Sequence, residues 1–330
     1  MVTLRVASVT TTIAASIFTA SVLCGAAIGQ QAYPMRPVRV VVGVSAGQST
    51  DILARLLANS LSKSLGQNFV VDNKPGAGAT LGPAFVAKAP ADGYTLLISS
   101  SGPLAIVPAL QKNLSYDPVK DLVPIGNAFM LPVFLVVNRD LPVSNVSEFV
   151  AYARARPGVL NYASAGNGTT GHLAMEMFMS ATNLKMVHVA YKGTPVSITD
   201  LIGGVTQAVF DFGPVVVPQA RAEKVKVLGV ASLSPSRALP NVPTVASQGL
   251  PEFEAGTFIG LFAPAGTPAP IVELLNAELG KALKDPQTDG AVRIMAGEIA
   301  GGSPADMASL LQKELAVWGK VIRDANIKLE

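Results

Sequence analysis

The sequence predicts an α/β protein of two lobes, each with a mostly parallel sheet, and a ligand cleft between the lobes. Short β-branched runs alternate with helical stretches, which is typical of a parallel sheet with right-handed crossovers. This alternation occurs as two series, and the chain beyond residue 251 begins with a segment that returns to the first lobe. Two linkers and a cleft at the carboxyl ends of the strands follow from that path.

The first series starts with the strand Val38–Val42, which is almost entirely valine. Residues 51–65 carry leucine and isoleucine at helical spacing, which predicts an amphipathic helix. Ser49 or Thr50 is the predicted N-cap of this helix, and Gly66 is the residue expected to end it. The other predicted elements of this series are a strand at 69–71, a helix through 84–89 and a strand at 94–99.

A second series of strands and helices starts near residue 132 and predicts the second lobe. Its elements are recognised by the same alternation of short β-branched runs and amphipathic stretches. They are a strand at 133–138, a helix at 146–156 capped by Ser144 or Asn145, a strand at 160–164, a helix at 172–181, a strand at 185–189, a helix at 195–202, and the strands Ala208–Phe212 and Val225–Val230.

The chain changes character again after residue 251. A strand is predicted at 257–262, followed by amphipathic helices at 268–283 and 304–325. Because these elements return to the first lobe, that lobe is built from two separate stretches of chain. The predicted lobes are lobe I, residues 30–131 with 251–330, and lobe II, residues 132–250.

The first 29 residues predict a secretory signal peptide and a periplasmic location. Arg5 supplies the positive start, residues 6–23 the apolar stretch, and the small residues up to Gly29 a cleavage site. Cleavage near Gly29 would remove Cys24, the only cysteine. The mature chain would then form no disulfide and no thiolate metal site.

The composition argues against several classes of protein. Charged residues make up 14% of the 330 residues and the formal net charge is +3, so nothing indicates a nucleic-acid partner. The two histidines, His172 and His188, are too few for a histidine-based metal site. We predict that His172 bonds to backbone at a helix start and that His188 lies in a core strand.

Two loops of small residues occupy matching places in the two series. Residues 46–50 and 164–170 each end a strand and open a helix. Free N–H groups at a helix start attract an anion, so two such loops facing each other would hold both ends of a dicarboxylate. The alternative is that both are ordinary strand-to-helix turns. Asp211, at a strand end, would either accept a hydrogen bond from an amino group or a bound water, or cap the next turn.

Two weaker motifs favour structural roles. Residues 76–82 approach a dinucleotide-binding fingerprint but have one residue too many before the last glycine, which favours a closely packed helix start. Ser164 lies among small residues, but Tyr162 stands where a nucleophile elbow needs glycine. Ser164 is therefore not predicted to be a nucleophile.

Short motifs follow one another along the whole predicted mature chain. They include Arg36-Pro37-Val38-Arg39, Asp72-Asn73-Lys74-Pro75-Gly76, Ala91-Asp92-Gly93-Tyr94, Tyr191-Lys192-Gly193 and Ala263-Pro264-Ala265-Gly266. Together they resemble the Bug-type solute receptors of tripartite tricarboxylate transporters. The resemblance implies a type II periplasmic-binding-protein-like fold and a receptor that delivers an organic acid to a membrane permease.

The resemblance also implies that ligand carboxylates are held by the two loops, with bound waters helping. We predict no catalysis, no cofactor and no metal, and a ligand that is a di- or tricarboxylate or an aromatic carboxylate. The predicted ligand-binding residues are Val44, Ser45, Ala46, Gly47, Gln48, Ser100, Ser164, Gly166, Gly168, Thr169 and Asp211.

Three departures from the family pattern affect the expected ligand. Gly43-Val44 stands where the family has Pro-Phe, Gln48 replaces a glycine, and Gln207 replaces an acidic residue. These changes favour a bulkier or differently shaped acid. Two alternatives remain open: an exported α/β hydrolase that uses a serine such as Ser164, or a ligand sensor that reports to a membrane kinase.

Overall fold

The structure, a computed structural model, describes residues 33–111 and 113–328. The predicted signal peptide, its cleavage site and Cys24 lie outside the described residues. From Arg36 onward the chain forms one compact unit, which contains all the strands and helices named here. None of the helices in the described part of the chain combines the length and the apolar character that crossing a membrane requires.

Ten strands and ten α-helices occur within the described residues. The strands are β1 (Val38–Val42), β2 (Phe69–Asn73), β3 (Thr95–Ser100), β4 (Leu122–Asn138), β5 (Asn161–Ser164), β6 (Val187–Ala190), β7 (Ala208–Phe212), β8 (Val225–Val230), β9 (Gly256–Pro264) and β10 (Glu298–Gly301). The helices are α1 (Ser49–Leu65), α2 (Leu81–Val86), α3 (Val107–Leu110), α4 (Val146–Arg154), α5 (Thr170–Thr182), α6 (Thr194–Ile202), α7 (Gly213–Arg221), α8 (Ala269–Ala282), α9 (Pro286–Ile294) and α10 (Pro304–Asp324).

The strands form one continuous sheet in the order β2-β1-β3-β9-β4-β7-β5-β6, and β8 and β10 also pair with β4. β1 is parallel to β2 and β3, and β5 is parallel to β6 and β7. Between these two parallel groups, β9 and β4 run antiparallel to their neighbours. The predicted α/β class is confirmed, and the antiparallel strands are what joins the two parallel groups.

β4 is the strand that passes from one parallel group to the other. The part up to Pro132 pairs with β9, and the part from Val133 onward pairs with β7 and β8. The sequence pattern predicts only 133–138, because Pro124 and Pro132 interrupt the apolar run and proline is unusual inside a sheet. A register shift between Pro124 and Gly126 lets the strand continue past the first proline.

The start of α1 differs from the prediction. Its N-cap is Gln48 rather than Ser49 or Thr50, and no side chain makes a capping hydrogen bond there. The carboxylate of Asp51 instead accepts a hydrogen bond from the amide of Gly47 at 2.9 Å. A side chain of α1 itself therefore holds the loop before the helix in place.

The sequence pattern does not predict α7, α9 or β10. α7 carries Pro214 in its first turn and Pro218 further along, and proline is a poor helix former outside the first turn. α2 is also displaced, since it covers Leu81–Val86 rather than 84–89. The other predicted elements agree with the structure within a few residues at each end.

The largest core cluster includes Trp318, the only tryptophan, and lies against the second parallel group. In this cluster the ring of Phe178 contacts Phe210 at 5.9 Å and Phe253 at 6.0 Å between centroids. Phe210 is the residue before Asp211 in β7. Core packing therefore fixes the backbone that carries Asp211.

Candidate functional site

A cavity of about 680 Å³ lies at the carboxyl ends of the parallel strands. One wall is formed by residues that follow β2 and β3, and the other by residues that follow β5, β6 and end β7. α5 and α6 begin at this second wall, at Thr170 and Thr194, and α7 begins directly after it, with its N-cap Phe212 in the wall. Open α/β sheets bind their ligands at this position.

The start of α5 presents unpaired amides to the cavity. Its N-cap, Thr169, makes no capping bond, because its hydroxyl donates to the carbonyl oxygen of Gly166 at 2.8 Å. The amides of Thr170, Gly171 and His172 donate no hydrogen bond within the described residues. The first turn also contains no acidic residue. Such a helix start carries partial positive charge and attracts an anion.

α5 approaches β7 so closely that position 171 requires glycine. A Cβ atom on Gly171 would lie 2.3 Å from the carbonyl oxygen of Phe210. This contact brings the start of α5 next to Asp211, and both line the cavity.

Asp211 is a buried carboxyl group at the end of β7. Its Oδ1 accepts a hydrogen bond from the amide of Phe212 at 2.7 Å, and the hydroxyl of Thr194 donates a second one. Burial raises the pKa of Asp211 to about 6, although these two hydrogen bonds act to lower it. The bond from Phe212 ties Asp211 to the residue before α7, although no side chain makes a capping hydrogen bond to that helix. Asp211 also lines the cavity, and its role as an acceptor there stays a prediction.

The loop before α5 is held by its own polar groups. The amide of Gly166 donates to Oγ of Ser164 at 3.1 Å, and the amide of Gly168 donates to Nδ1 of His172 at 3.0 Å. Oγ of Ser164 lies 2.7 Å from Nε2 of His188. The bond from Gly168 confirms that His172 bonds to backbone. The prediction of a core strand for His188 is wrong, because β6 is the last strand of the sheet and His188 is only partly buried. Ser164 is fully buried, so its hydroxyl is out of reach of a substrate carbonyl in the cavity.

A stack of rings lies behind this loop. The centroids of His172 and His188 are 3.9 Å apart, and those of His188 and Tyr162 are 4.7 Å apart. Burial, with a contribution from His188, lowers the pKa of His172 to about 4, and burial also lowers the pKa of His188. The hydroxyl of Tyr162 donates to Glu176. At neutral pH the loop therefore rests on uncharged imidazoles, and Nδ1 of His172 stays an acceptor.

The first loop, residues 44–48, is arranged differently. The buried carboxylate of Asp51 accepts from the amide of Gly47 at 2.9 Å and from Nδ2 of Asn73 at 2.8 Å, and it pairs with Arg55 at 3.0 Å. Burial acts to raise the pKa of Asp51, but the hydrogen bonds from Arg55, Gly47 and Asn73 bring it below the usual value. Asp51 is thus an internal anion at the start of α1.

The structure places the predicted ligand-binding residues in several different surroundings. Those that line the cavity are Gly168, Thr169 and Asp211. Ser164 and Gly166 belong to the same loop but make the internal hydrogen bonds behind the cavity. Gly47 lines a second cavity, of about 880 Å³, opposite α7. The other five predicted residues line neither of these two cavities: Val44, Ser45, Ala46, Gln48 and Ser100.

Sequence reasoning missed the turn after β2, which forms part of the opposite wall. Ala77 and Gly78 line the cavity, and together with Ala79 they have φ angles of 48°, 67° and 69°. Left-handed backbone costs an alanine roughly 1–2 kcal/mol, and strain of this kind is concentrated at functional sites. The motif at 76–82 was the available signal. It also packs closely as predicted, since a Cβ on Gly82 would lie 2.9 Å from the backbone of Gly43.

The rest of the opposite wall is apolar apart from Gln111. Ile106, Val107 and Leu110 line it, positioned by the π-helical turn Gly102–Ile106 that precedes α3. Among the described residues that line the cavity, Asp211 is the one ionisable side chain. Within the described residues no group of histidine, cysteine or acidic side chains has the arrangement of a metal site. The cavity can therefore hold a carboxylate with neutral donors and a carbon skeleton with aliphatic contacts.

The comparison with known protein families gives a clear result. The model of the tripartite tricarboxylate transporter family receptor matches residues 53–327. The chain is 39% identical over 292 residues to the UPF0065 protein in the tcbD-tcbE intergenic region of Pseudomonas sp. strain P51, covering 88% of this chain and 87% of that protein. It is 35% identical over 315 residues to Protein BugT of Bordetella pertussis, covering 95% and 97%. The chain belongs to this receptor family, and the resemblance to Bug-type receptors is confirmed.

Solved structures of similar sequence confirm the fold. An R. palustris protein solved with adipate is 36% identical, with a TM-score of 0.76 over 90% of this chain and 99% of that chain. MatC from Rhodopseudomonas palustris, with bound malate, is 33% identical, with a TM-score of 0.72 over 88% and 100%. The periplasmic binding protein BugD is 33% identical, with a TM-score of 0.73 over 90% and 100%. The fold is therefore the α/β fold of periplasmic binding proteins of this type.

Proposed function

We propose that this chain is an extracytoplasmic solute receptor that binds a small organic acid in the cavity at the start of α5. The family is a receptor family, and two related proteins have been solved with adipate and with malate. Both ligands are carboxylates, the kind of group that unpaired helix-start amides attract. The observation that carries the proposal is the set of unpaired amides at Thr170, Gly171 and His172.

The rest of the cavity gives each part of such a ligand a contact. The carboxylate would lie against the start of α5, beside Thr169 and Asp211. The carbon skeleton would lie against Ile106 and Leu110 on the opposite wall. Burying that skeleton would contribute about 25 cal/mol for each Å² of apolar surface removed from water.

Delivery to a permease would depend on closure of the two lobes around the ligand. The proposed lobes are residues 30–131 with 251–330 and residues 132–250. The change of pairing partner in β4, between Pro132 and Val133, supports a boundary there. Closure would create a surface that a tripartite transporter's membrane subunits recognise. The receptor would work in the periplasm after its signal peptide is removed near Gly29.

The variant Thr170→Pro tests the proposal because it removes one of the three unpaired amide donors, together with the Thr170 side chain that lines the cavity. Proline is accepted at the first helical position, and the residue before it must be extended. Thr169 already has φ −72° and ψ 157°. The matched control is Ser49→Pro at the first position of α1, where Gln48 has φ −76° and ψ 159°.

Isothermal titration calorimetry with adipate, malate, hexanoate and benzoate measures the effect. We expect at least one acid to bind, and Thr170→Pro to weaken its binding about tenfold, because a hydrogen bond to a charged group contributes about 1.5–3 kcal/mol. Ser49→Pro should leave the affinity unchanged. The proposal is wrong if none of the four acids binds, or if Thr170→Pro binds as tightly as the unmodified protein.

A further inference from the structure

We propose that Asp211 takes up a proton when the organic acid binds, so that capture of the ligand is coupled to pH. The proposal rests on the proposed function, since it concerns the same cavity. It assigns Asp211 a state-dependent role: an ionised acceptor in the free receptor and a hydrogen-bond donor to the ligand in the complex.

The first step is the position of the carboxyl group. Asp211 lines the cavity and is only 6% exposed. The close contact between Gly171 and the backbone of Phe210 sets the start of α5 against the strand that carries it. An anion bound at the amides of Thr170 and Gly171 would therefore lie beside the Asp211 carboxyl group.

The second step is the absence of a compensating cation among the lining residues. No lysine, arginine or histidine lines the cavity in the described part of the chain. The two groups bonded to Asp211, the amide of Phe212 and the hydroxyl of Thr194, are both neutral. Two carboxylates in one buried site disfavour each other's ionised form, and one of them commonly takes up a proton.

The third step concerns the charged and titratable groups on the elements packed around Asp211. Each of those on α5, α6 and the neighbouring strands has its own partner. Glu176 accepts from Tyr162, Asp200 accepts from Tyr191 at 2.7 Å, and His188 contacts Ser164. His172 is neutral at physiological pH, and Arg221 lies at the far end of α7. None of these groups is hydrogen-bonded to the carboxyl group of Asp211 in the described residues.

The chemistry of the complex then follows. The neighbouring anion stabilises the protonated form of Asp211, and the proton comes from solvent. The new O–H group donates to the ligand carboxylate, which replaces repulsion with a hydrogen bond. Burial already raises the pKa of Asp211 in the free receptor to about 6, so a further rise carries it through neutrality.

The direction in which affinity changes with pH follows from the protonation states of Asp211 in the free receptor and in the complex. The ligand binds the protonated form better, so affinity is constant below the pKa of free Asp211 and falls as pH rises above it. The fall continues up to the higher pKa of the complex and is at most tenfold per pH unit for one proton. Capture is therefore favoured at mildly acidic pH.

Calorimetry of the whole receptor in two buffers counts the protons. At pH 7 we would titrate adipate, malate, hexanoate and benzoate in Bis-Tris and in Tris, two cationic buffers whose ionisation enthalpies differ. The expected result is uptake of roughly half to one proton for each bound ligand. Asp211→Asn keeps the shape and the acceptor but cannot titrate, so it should bind without uptake. Asp200→Asn is the matched control and should retain the uptake.

The outcomes separate this proposal from the proposed function. Ligand binding without buffer-dependent heat, or uptake that persists in Asp211→Asn, overturns the role of Asp211 and leaves the receptor function intact. No binding of any of the four acids overturns both. The affinity of the unmodified protein between pH 6 and pH 8 gives a test that needs no variant: an affinity that does not fall over this range also overturns the role of Asp211.

Discussion

The loops at 44–48 and 164–169 have similar sequences but meet their helices in different ways. The first leads into α1, whose first turn contains the buried carboxylate of Asp51. The second leads into α5, whose first turn has no acidic residue. In the first loop the chain supplies its own anion to the amide of Gly47. In the second loop neutral His172 takes one amide, and the amides beyond it stay unpaired.

Unpaired amides alone do not distinguish the two helix starts, because the amides of Ser49 and Thr50 in α1 also have no partner within the described residues. The start of α5 differs in having no carboxylate of the chain beside its amides. Both loops satisfy the sequence rule of small residues between a strand and a helix. What separates them is one side chain in the first helical turn, with the groups that hold it in place. Asp51 is fixed by Arg55 and Asn73, which come from α1 itself and from the end of β2.

The largest expected effect comes from making the second loop resemble the first. Thr169→Asp places a carboxylate at the N-cap of α5. This carboxylate would accept hydrogen bonds from the amides that we propose as donors to the ligand. Two unit charges 4 Å apart repel by about 4 kcal/mol near a protein surface, so we expect binding of any carboxylate to weaken about a hundredfold or more. Calorimetry with the acid that binds the unmodified protein measures this.

The neutral variant Thr169→Asn is the matched control for that experiment. Asparagine is as good an N-cap as aspartate and has nearly the same shape. It takes up the same amide without adding a charge, so binding should weaken by about tenfold, which is less than the loss expected for Thr169→Asp. If Thr169→Asp binds the acid as well as Thr169→Asn does, the start of α5 is not where the ligand carboxylate lies.

The second largest expected effect is on the stability of the protein, because the carboxylate of Asp51 forms hydrogen bonds within the folded chain. Asp51→Asn removes the charge and leaves Arg55 without its buried partner. We expect the free energy of unfolding, measured by urea denaturation at pH 7, to fall by about 2–3 kcal/mol. Affinity for the organic acid should not change if the two loops differ as described. A stability equal to that of the unmodified protein would contradict the role of Asp51.

The pH dependence of the same variant follows from the lowered pKa of Asp51. A carboxyl group with a lower pKa in the folded state contributes its stability above its unfolded pKa of about 4. The contribution is lost as pH falls below that value and through the folded pKa. Asp51→Asn should therefore lose less stability on acidification than the unmodified protein does.

The sequence was sufficient to predict the alternation of strands and helices and the place of the second loop, because both follow from local patterns of residues. Strand β1 and helix α1 follow from β-branched and amphipathic periodicity, and the loop before α5 follows from its glycines. The neutral state of His172 could not be predicted. It depends on burial and on the neighbouring imidazole of His188, and the sequence pattern does not reveal that these two rings pack together.

The wall opposite α5 was also beyond the sequence pattern. Ala77 and Gly78 reach the cavity through consecutive left-handed residues, a conformation for which alanine gives no signal. Ile106 and Leu110 look like ordinary core residues until the π-helical turn sets their direction. Only the second part of β4 was predicted, because proline is unusual inside a strand. In the structure a register shift next to Pro124 lets the strand continue.

The smallest expected effect returns to the first loop. Gln48 is the N-cap of α1 and makes no capping bond, although the helix-start amides of Ser49 and Thr50 have no partner within the described residues. Gln48→Ser would supply a hydroxyl acceptor, and we expect it to raise the free energy of unfolding by about 0.5–1 kcal/mol, with Gln48→Ala as the control without an acceptor. Urea denaturation of both variants measures the difference. Calorimetry should show unchanged affinity for the organic acid, because this helix start already has its anion in Asp51. A loss of affinity in Gln48→Ser would mean that the first loop also contacts the ligand, and the contrast between the two loops would then be wrong.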